Sequence, residues 1–266
     1  MSNDAPPLHV EVREAAAPLA GSPPAVLIHG WASSSIYWEP LAQELLDAGH
    51  RVWILDLPGY HPGEELPGDF AWTLDSAAAA VAAAIAARTA EAVHVAGHSL
   101  GGSVALTLAA HHPERVATLA LVGMVPAPPN QGFRTMLLSQ LEQGFIDAGT
   151  RAKCMKAWFG PLPAEETKLL SRGFEVPFPV LAASGTAAMA GVAPEVPGLV
   201  KAPTLVLTGT ADRLRTPEQV QEFVSGSPLR RLAAVPGAGH SVHWEQPRAC
   251  AVALHEFWKE SWPPPA

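Results

Sequence analysis

Short apolar runs alternate along the chain with longer stretches whose apolar positions recur at helical spacing. Val26-Leu27-Ile28, Val52-Trp53-Ile54-Leu55, Val93-His94-Val95, Leu119 to Val122 and Leu205-Val206-Leu207 are nearly continuous hydrophobic segments. That is the pattern of strands buried on both faces of a parallel sheet. His9 to Arg13 and Arg230 to Val235 add candidate outer strands. Between them lie helical patterns at about Trp38 to Ala48, Trp72 to Arg88, Gly101 to His112, Pro217 to Ser225 and Gln246 to Trp262, the last closed by Pro263-Pro264-Pro265. The alternation predicts an α/β, doubly wound and mostly parallel sheet with right-handed crossovers.

Residues 125–200 break this rhythm. No strand pattern appears, and Met136, Leu137, Leu138, Phe145, Met155, Trp158, Phe159, Leu169, Leu170 and Phe174 fall in helical fragments. The segment is too long for a loop and too apolar for a linker. It reads as a helical lid over one end of a sheet core formed by residues 1–124 and 201–266.

Composition narrows the function classes. Forty-eight per cent of the 266 residues are hydrophobic and 16% are charged, with a formal net charge of −8. A compact globule follows, and nucleic acid is a poor partner for a chain without clustered Lys and Arg. Two cysteines, Cys154 and Cys250, cannot build a disulfide framework. Residues 1–14 lack a basic region followed by an apolar core, and the longest apolar run, Ala77 to Ala87, is short for a bilayer. A cytoplasmic protein without membrane association is the expectation.

The chemistry concentrates in three places. Gly97-His98-Ser99-Leu100-Gly101-Gly102 follows a strand and opens a helix, the context in which a G-x-S-x-G turn presents its serine above the sheet. The helix N-terminus behind the serine favours developing negative charge. A serine nucleophile needs a base held by an acid. His240 follows the last strand in a glycine-rich loop, and Asp212 stands just past the strand ending at Leu207. The order Ser99, Asp212, His240 is the one such folds use. His243 is the competing base and reads as support at the start of the closing helix. Two backbone donors are needed for a tetrahedral oxyanion; Leu100 N–H and Trp31 N–H are the candidates, with His29 bracing the Trp31 loop.

These motifs, with His29-Gly30-Trp31, Asp56-Leu57-Pro58-Gly59, His112-Pro113-Glu114-Arg115-Val116 and Gly209-Thr210-Ala211-Asp212, resemble the carboxylesterase-like serine hydrolases of the α/β-hydrolase superfamily. The resemblance implies a sheet of about seven to eight strands with the helical lid inserted after the sixth. Within that family, His29-Gly30-Trp31 and the lid are similar to the pimeloyl-carrier-protein methyl ester esterases. One departure is Tyr60-His61-Pro62-Gly63, where relatives continue into a Gly-x-Ser turn.

Serine at the elbow separates the chain from dehalogenases and epoxide hydrolases, which use aspartate there. Both tyrosines, Tyr37 and Tyr60, lie outside the lid, whereas epoxide hydrolases need lid tyrosines. What remains is attack on a small-molecule carboxylic ester through an acyl-enzyme. The alternatives with the same triad are C–C bond hydrolases of ring-fission products, cofactor-free perhydrolases and triad-retaining ligand receptors. Trp158 and Phe159, with Trp31, are the candidate wall of an apolar pocket. No motif calls for a metal or organic cofactor. The lid's Arg134, Arg151, Lys153, Lys156, Lys168 and Arg172 balance its Glu142, Asp147, Glu165, Glu166, Glu175 and Glu195, so the remaining chain carries the whole −8. Such a lid could steer an acidic acyl carrier protein; solvation of the lid's outer faces accounts for the same charges.

Overall fold

The computed structural model describes residues 5–127 and 131–262; the proline run at 263–265 lies outside them. The chain enters through β1 (Val10–Arg13) and β2 (Ala25–Ile28), then α1 (Glu39–Asp47), β3 (Val52–Leu55), α2 (Leu74–Ala86), β4 (Val93–His98), α3 (Leu100–His111) and β5 (Val116–Val122). A helical stretch follows: α4 (Gln131–Gln143), α5 (Ala148–Trp158), α6 (Ala164–Ser171), α7 (Phe178–Ala190) and α8 (Val196–Leu199). The sheet resumes with β6 (Thr204–Gly209), α9 (Pro217–Ser225) and β7 (Arg230–Val235), and α10 (Val242–Glu245) and α11 (Pro247–Ser261) close the described chain.

Among the described residues the seven strands form one sheet in the order β1-β3-β2-β4-β5-β6-β7. All neighbours are parallel except β1, which pairs antiparallel with β3 along Val10↔Leu55 to Arg13↔Val52. The expected insertion point of the helical stretch is corrected: it follows the fifth strand, not the sixth. The five strand patterns that precede residue 125 in the sequence are the five strands formed, and the count of six belongs only to the resemblance.

Side-chain alternation on the strands builds two large cores, beside a small cluster of Val125, Val206 and Val220. Val26 and Ile28 of β2 pack with Ala77 and Val81 of α2 and Val104 and Leu108 of α3. Leu27 faces the other way, with Leu41 and Leu45 of α1 and Leu254 and Trp258 of α11. Local chemistry sets the helix ends. Thr73 and Ser76 form a reciprocal capping box on α2, and Thr216 and Gln219 do the same on α9. No described helix is long and apolar enough to cross a membrane.

The strand order also places the site. From β2 the chain steps outward to β3 on one side, then returns to β4 on the other. A crevice opens at the carboxyl ends of the strands where the direction reverses. Residue 99 leaves β4 at that point.

Candidate active site

Ser99 occupies the junction between β4 and α3 with φ 52° and ψ −115°. A non-glycine residue in so sparsely populated a backbone region is strained by about 1–3 kcal/mol, and it persists only where the surroundings over-determine it. Here Ser99 N–H donates to Val122 O at 3.1 Å, while Gly102 and Ser103 N–H donate to Ser99 O at 2.9 and 3.2 Å. Gly101 makes the turn possible: a Cβ there would stand 2.3 Å from the carbonyl oxygens of both Ile28 and His29. The first turn of α3 therefore lies directly on the end of β2, and the loop carrying Gly30 and Trp31 lies beside Ser99.

His240 sits in the loop between β7 and α10, and Asp212 follows β6. The two side chains are 4% and 1% exposed, with His240 Nδ1 and Asp212 Oδ2 3.0 Å apart. Asp212 Oδ1 accepts from Leu214 N–H at 2.7 Å and Arg215 N–H at 3.3 Å. Burial pushes this carboxyl up, but the bonds from His240, Leu214 and Arg215 outweigh it and leave the group below its ordinary value. An ionised carboxylate only accepts, so Nδ1 of His240 carries the proton and Nε2 is the basic nitrogen. The loop is held from both sides: Gly239 N–H donates to Glu245 Oε2 at 3.1 Å, and Ser241 N–H to Trp158 O at 2.9 Å.

Ser99 and His240 line one cavity of about 320 Å³, together with Trp31 and Trp158. Trp31 Nε1 donates to Leu181 O on α7 at 2.8 Å, and its ring meets Phe133, Trp158 and Phe174 edge-on. Trp158 stacks on Phe174 at 5.5 Å. Among the described residues, neither Trp31 N–H nor Leu100 N–H has a hydrogen-bond acceptor, which leaves both free for an oxyanion. Phe159 is a correction: it is not part of this cavity. It ends α5 and turns its ring onto Tyr37 at 5.5 Å, lining a neighbouring hollow instead.

The other histidines separate cleanly. His243 is fully buried in α10, with neither ring nitrogen hydrogen-bonded, between the rings of Trp38 and His98. Burial and neighbouring His240 hold it down at about 3, so it stays neutral. His29 Nδ1 donates to Gly30 O at 2.8 Å while its Nε2 accepts from Leu57 N–H at 3.0 Å, which pins the Trp31 loop to the loop after β3. The divergent Tyr60 donates its hydroxyl to Ser184 of α7 at 2.8 Å, because Ser184 spends its own proton on Val180 O.

Several residues cannot be assigned to the cavity from the sequence. Phe133, Met136, Lys153, Cys154, Leu214 and Arg215 reach the lining from separate elements. Cys154 is a packing residue, since burial pushes its thiol up to about 12 and away from the reactive thiolate.

The sheet order, the strained serine turn and the paired His240 and Asp212 define a hydrolase scaffold of the α/β type. The model of the alpha/beta hydrolase family matches residues 25–253, and the chain belongs to that family. The pimeloyl-[acyl-carrier protein] methyl ester esterase of Edwardsiella ictaluri is 30% identical over 252 residues, covering 90% of this chain and 94% of that protein. A dihydrolipoyllysine-residue acetyltransferase component of the acetoin cleaving system from Cupriavidus necator is 37% identical over 131 residues, 49% of this chain. Those residues make up only 33% of that longer relative. The thermophilic esterase from Thermogutta terrifontis shares the fold at TM-score 0.79 and 21% identity, over 96% of this chain and 94% of that one.

Proposed function

We propose that the chain is a serine hydrolase that cleaves a small carboxylic ester through an acyl-enzyme on Ser99, His240 and Asp212. The observation that carries this reading is a strained serine turn sharing one cavity with a buried, carboxylate-held histidine. Ser99 Oγ attacks the ester carbonyl carbon while its proton passes to Nε2 of His240. Trp31 N–H and Leu100 N–H meet the oxyanion. The tetrahedral species collapses, the C–O bond breaks, and the leaving alcohol takes the proton from His240. Water then attacks the acyl-Ser99 carbonyl with His240 again as base, and the released acid restores the serine. Residues 125–200 act as a lid over a core of residues 1–124 and 201–266. Trp31, Trp158, Phe133 and Met136 make the acyl pocket largely apolar.

The test is hydrolysis of a chromogenic short-chain ester. Ser99→Ala should abolish multiple turnover with an unchanged melting temperature, and a serine-directed phosphonate should label Ser99 alone. His240→Ala should lose turnover by several orders of magnitude. Retained turnover in Ser99→Ala, or a single stalled turnover in the wild type, would overturn the reading.

A carrier-borne substrate is the second reading, favoured by the named esterase relative and by Arg151, Lys153 and Lys156 along α5. Reversing these three to glutamate should then lower kcat/KM for an acyl-carrier ester, and less so for a small neutral one. Equal responses of the two substrates would remove the carrier.

A further inference from the structure

The cavity's charge does not match the molecule's. The chain carries −8 overall, yet among the described residues the cavity around Ser99 is lined by two cations, Lys153 and Arg215, and by no carboxylate. Arg215 is the more informative of the two. It follows the Asp212 turn, where its backbone N–H braces the carboxylate at 3.3 Å. Its side chain is half-buried and its Nη1 donates to Leu214 O at 3.1 Å. Its Nε is buried without an acceptor, and among the described residues its guanidinium lies within 4.0 Å of no carboxylate. Burial lowers its affinity for its proton, and nearby Asp212 only partly opposes that. A guanidinium with an unmatched donor is costly in an apolar lining. Lys153, on α5, also lines this cavity and forms no ion pair among the described residues.

We propose that Arg215, assisted by Lys153, binds a second, negatively charged group of the substrate, a carboxylate, so that the preferred ester is a monoester of a dicarboxylic acid. The inference rests on the ester-hydrolase reading above and adds what the acyl chain carries at its far end. A planar carboxylate offers two acceptor oxygens to a guanidinium fork, and it brings the one negative charge that a single half-buried arginine can balance. The remaining wall, Trp31, Phe133, Met136 and Trp158, suits the methylene chain between the two ends. A phosphate on the alcohol side, as a carrier arm would bring, shares the anionic chemistry but places it elsewhere along the substrate.

The experiment compares kcat/KM for a series of dicarboxylic acid monomethyl esters with that for methyl esters of monocarboxylic acids of the same length. A third arm uses a neutral acyl group esterified to a phosphate-bearing alcohol. The wild type should prefer the monoesters by about 10- to 100-fold at the best length. Arg215→Gln should collapse that preference, Arg215→Lys should keep part of it, and Lys153→Gln should reduce it to a smaller degree. The ratio of the two substrates is the readout, because a mere disturbance of Asp212 would lower both alike and leave the ratio standing. Binding of the free dicarboxylates to Ser99→Ala, followed by calorimetry, gives a readout without turnover; it should weaken by a similar factor in the Ser99→Ala/Arg215→Gln double variant. A ratio unchanged in Arg215→Gln, or a preference that follows the phosphate arm, overturns the assignment. Loss of all hydrolysis with dicarboxylate binding intact would instead strike the ester-hydrolase reading.

Discussion

Replacing Asp212 by asparagine changes one atom, and the surrounding hydrogen bonds dictate where that atom goes. Oδ1 accepts from two backbone donors, Leu214 N–H at 2.7 Å and Arg215 N–H at 3.3 Å, whereas Oδ2 meets only His240 Nδ1 at 3.0 Å. An amide placed with its NH2 toward Leu214 and Arg215 would set donor against donor, at about 1–3 kcal/mol for each buried N–H left unmatched. The asparagine oxygen therefore keeps the Oδ1 position and its NH2 faces His240. Nδ1 must then accept, which moves the imidazole proton to Nε2 and removes the base that Ser99 needs. In serine proteases this tautomer change costs about 10⁴ in kcat, equivalent to about 5.5 kcal/mol of barrier. We expect that loss for Asp212→Asn with a chromogenic ester, with KM little changed because the group touches no substrate. Labelling by a serine-directed phosphonate should slow in parallel. A loss smaller than about 30-fold would refute the reasoning, since it would mean that the tautomer of His240 is set by another group or does not matter.

Three further outcomes follow from the packing and the titrating groups. His243→Phe removes two unpartnered ring nitrogens from a fully buried site between Trp38 and His98; thermal melting should show equal or greater stability, by about 1 kcal/mol, with the esterase activity largely kept. Gly101→Ala should destabilise by about 3 kcal/mol or more and yield little folded protein, because its Cβ meets two carbonyl oxygens at 2.3 Å; a soluble, fully active variant would contradict the close contact of α3 with β2. Burial, aided by neighbouring histidines, holds His94 and His243 down at about 3 and His50 at about 4. The unfolded chain takes up these protons near pH 6.5 and the folded one does not, so stability is complete above that pH and falls as the pH drops toward 4. The slope should approach about 1.4 kcal/mol per pH unit per histidine, and chemical denaturation between pH 7.5 and 4.5 with His94→Phe as control should show a shallower fall in the variant.

How far each feature could be read from the chain depends on whether local chemistry alone specifies it. Ser99 and its flanking glycines sit in a strand-turn-helix where six consecutive residues dictate the backbone, so the turn is legible. His240 and Asp212 are each tied to the end of a recognisable strand, and the sheet order carries them to the same edge. His243 is legible as a residue of the closing helical segment, since α10 begins one residue before it. Phe159 was misplaced because helical spacing does not say how a residue turns at a helix end; as the C-cap of α5 it has extended backbone, φ −127° and ψ 154°, and its ring leaves the face of Trp158. Arg215 has no sequence signature, and Lys153 is legible only as one of the lid's cations, not as a residue of the Ser99 cavity. Their shared cavity arises from packing α5 over the loop after β6, a contact between residues distant in the chain. The insertion point differs because the count of six strands belongs to the resemblance, whereas five strand patterns precede residue 125.

The bonds that anchor the helical stretch have a consequence for how substrate enters. Trp31 holds α7 through Leu181 O, Tyr60 holds it through Ser184, and Ser241, next to His240, holds α5 through Trp158 O. Two of these latches lie on the loops that carry Trp31 and His240, and the third on the loop after β3. Lifting α5 or α7 far enough to admit a ligand breaks at least one of them and releases the neighbouring loop. Should substrate enter by such a displacement, the Trp31 and His240 loops would have to re-form their bonds to α7 and α5 before the proposed reaction. The proposed turnover is then expected to respond to Tyr60→Phe, which removes the hydroxyl bonded to Ser184 although neither residue lines the Ser99 cavity.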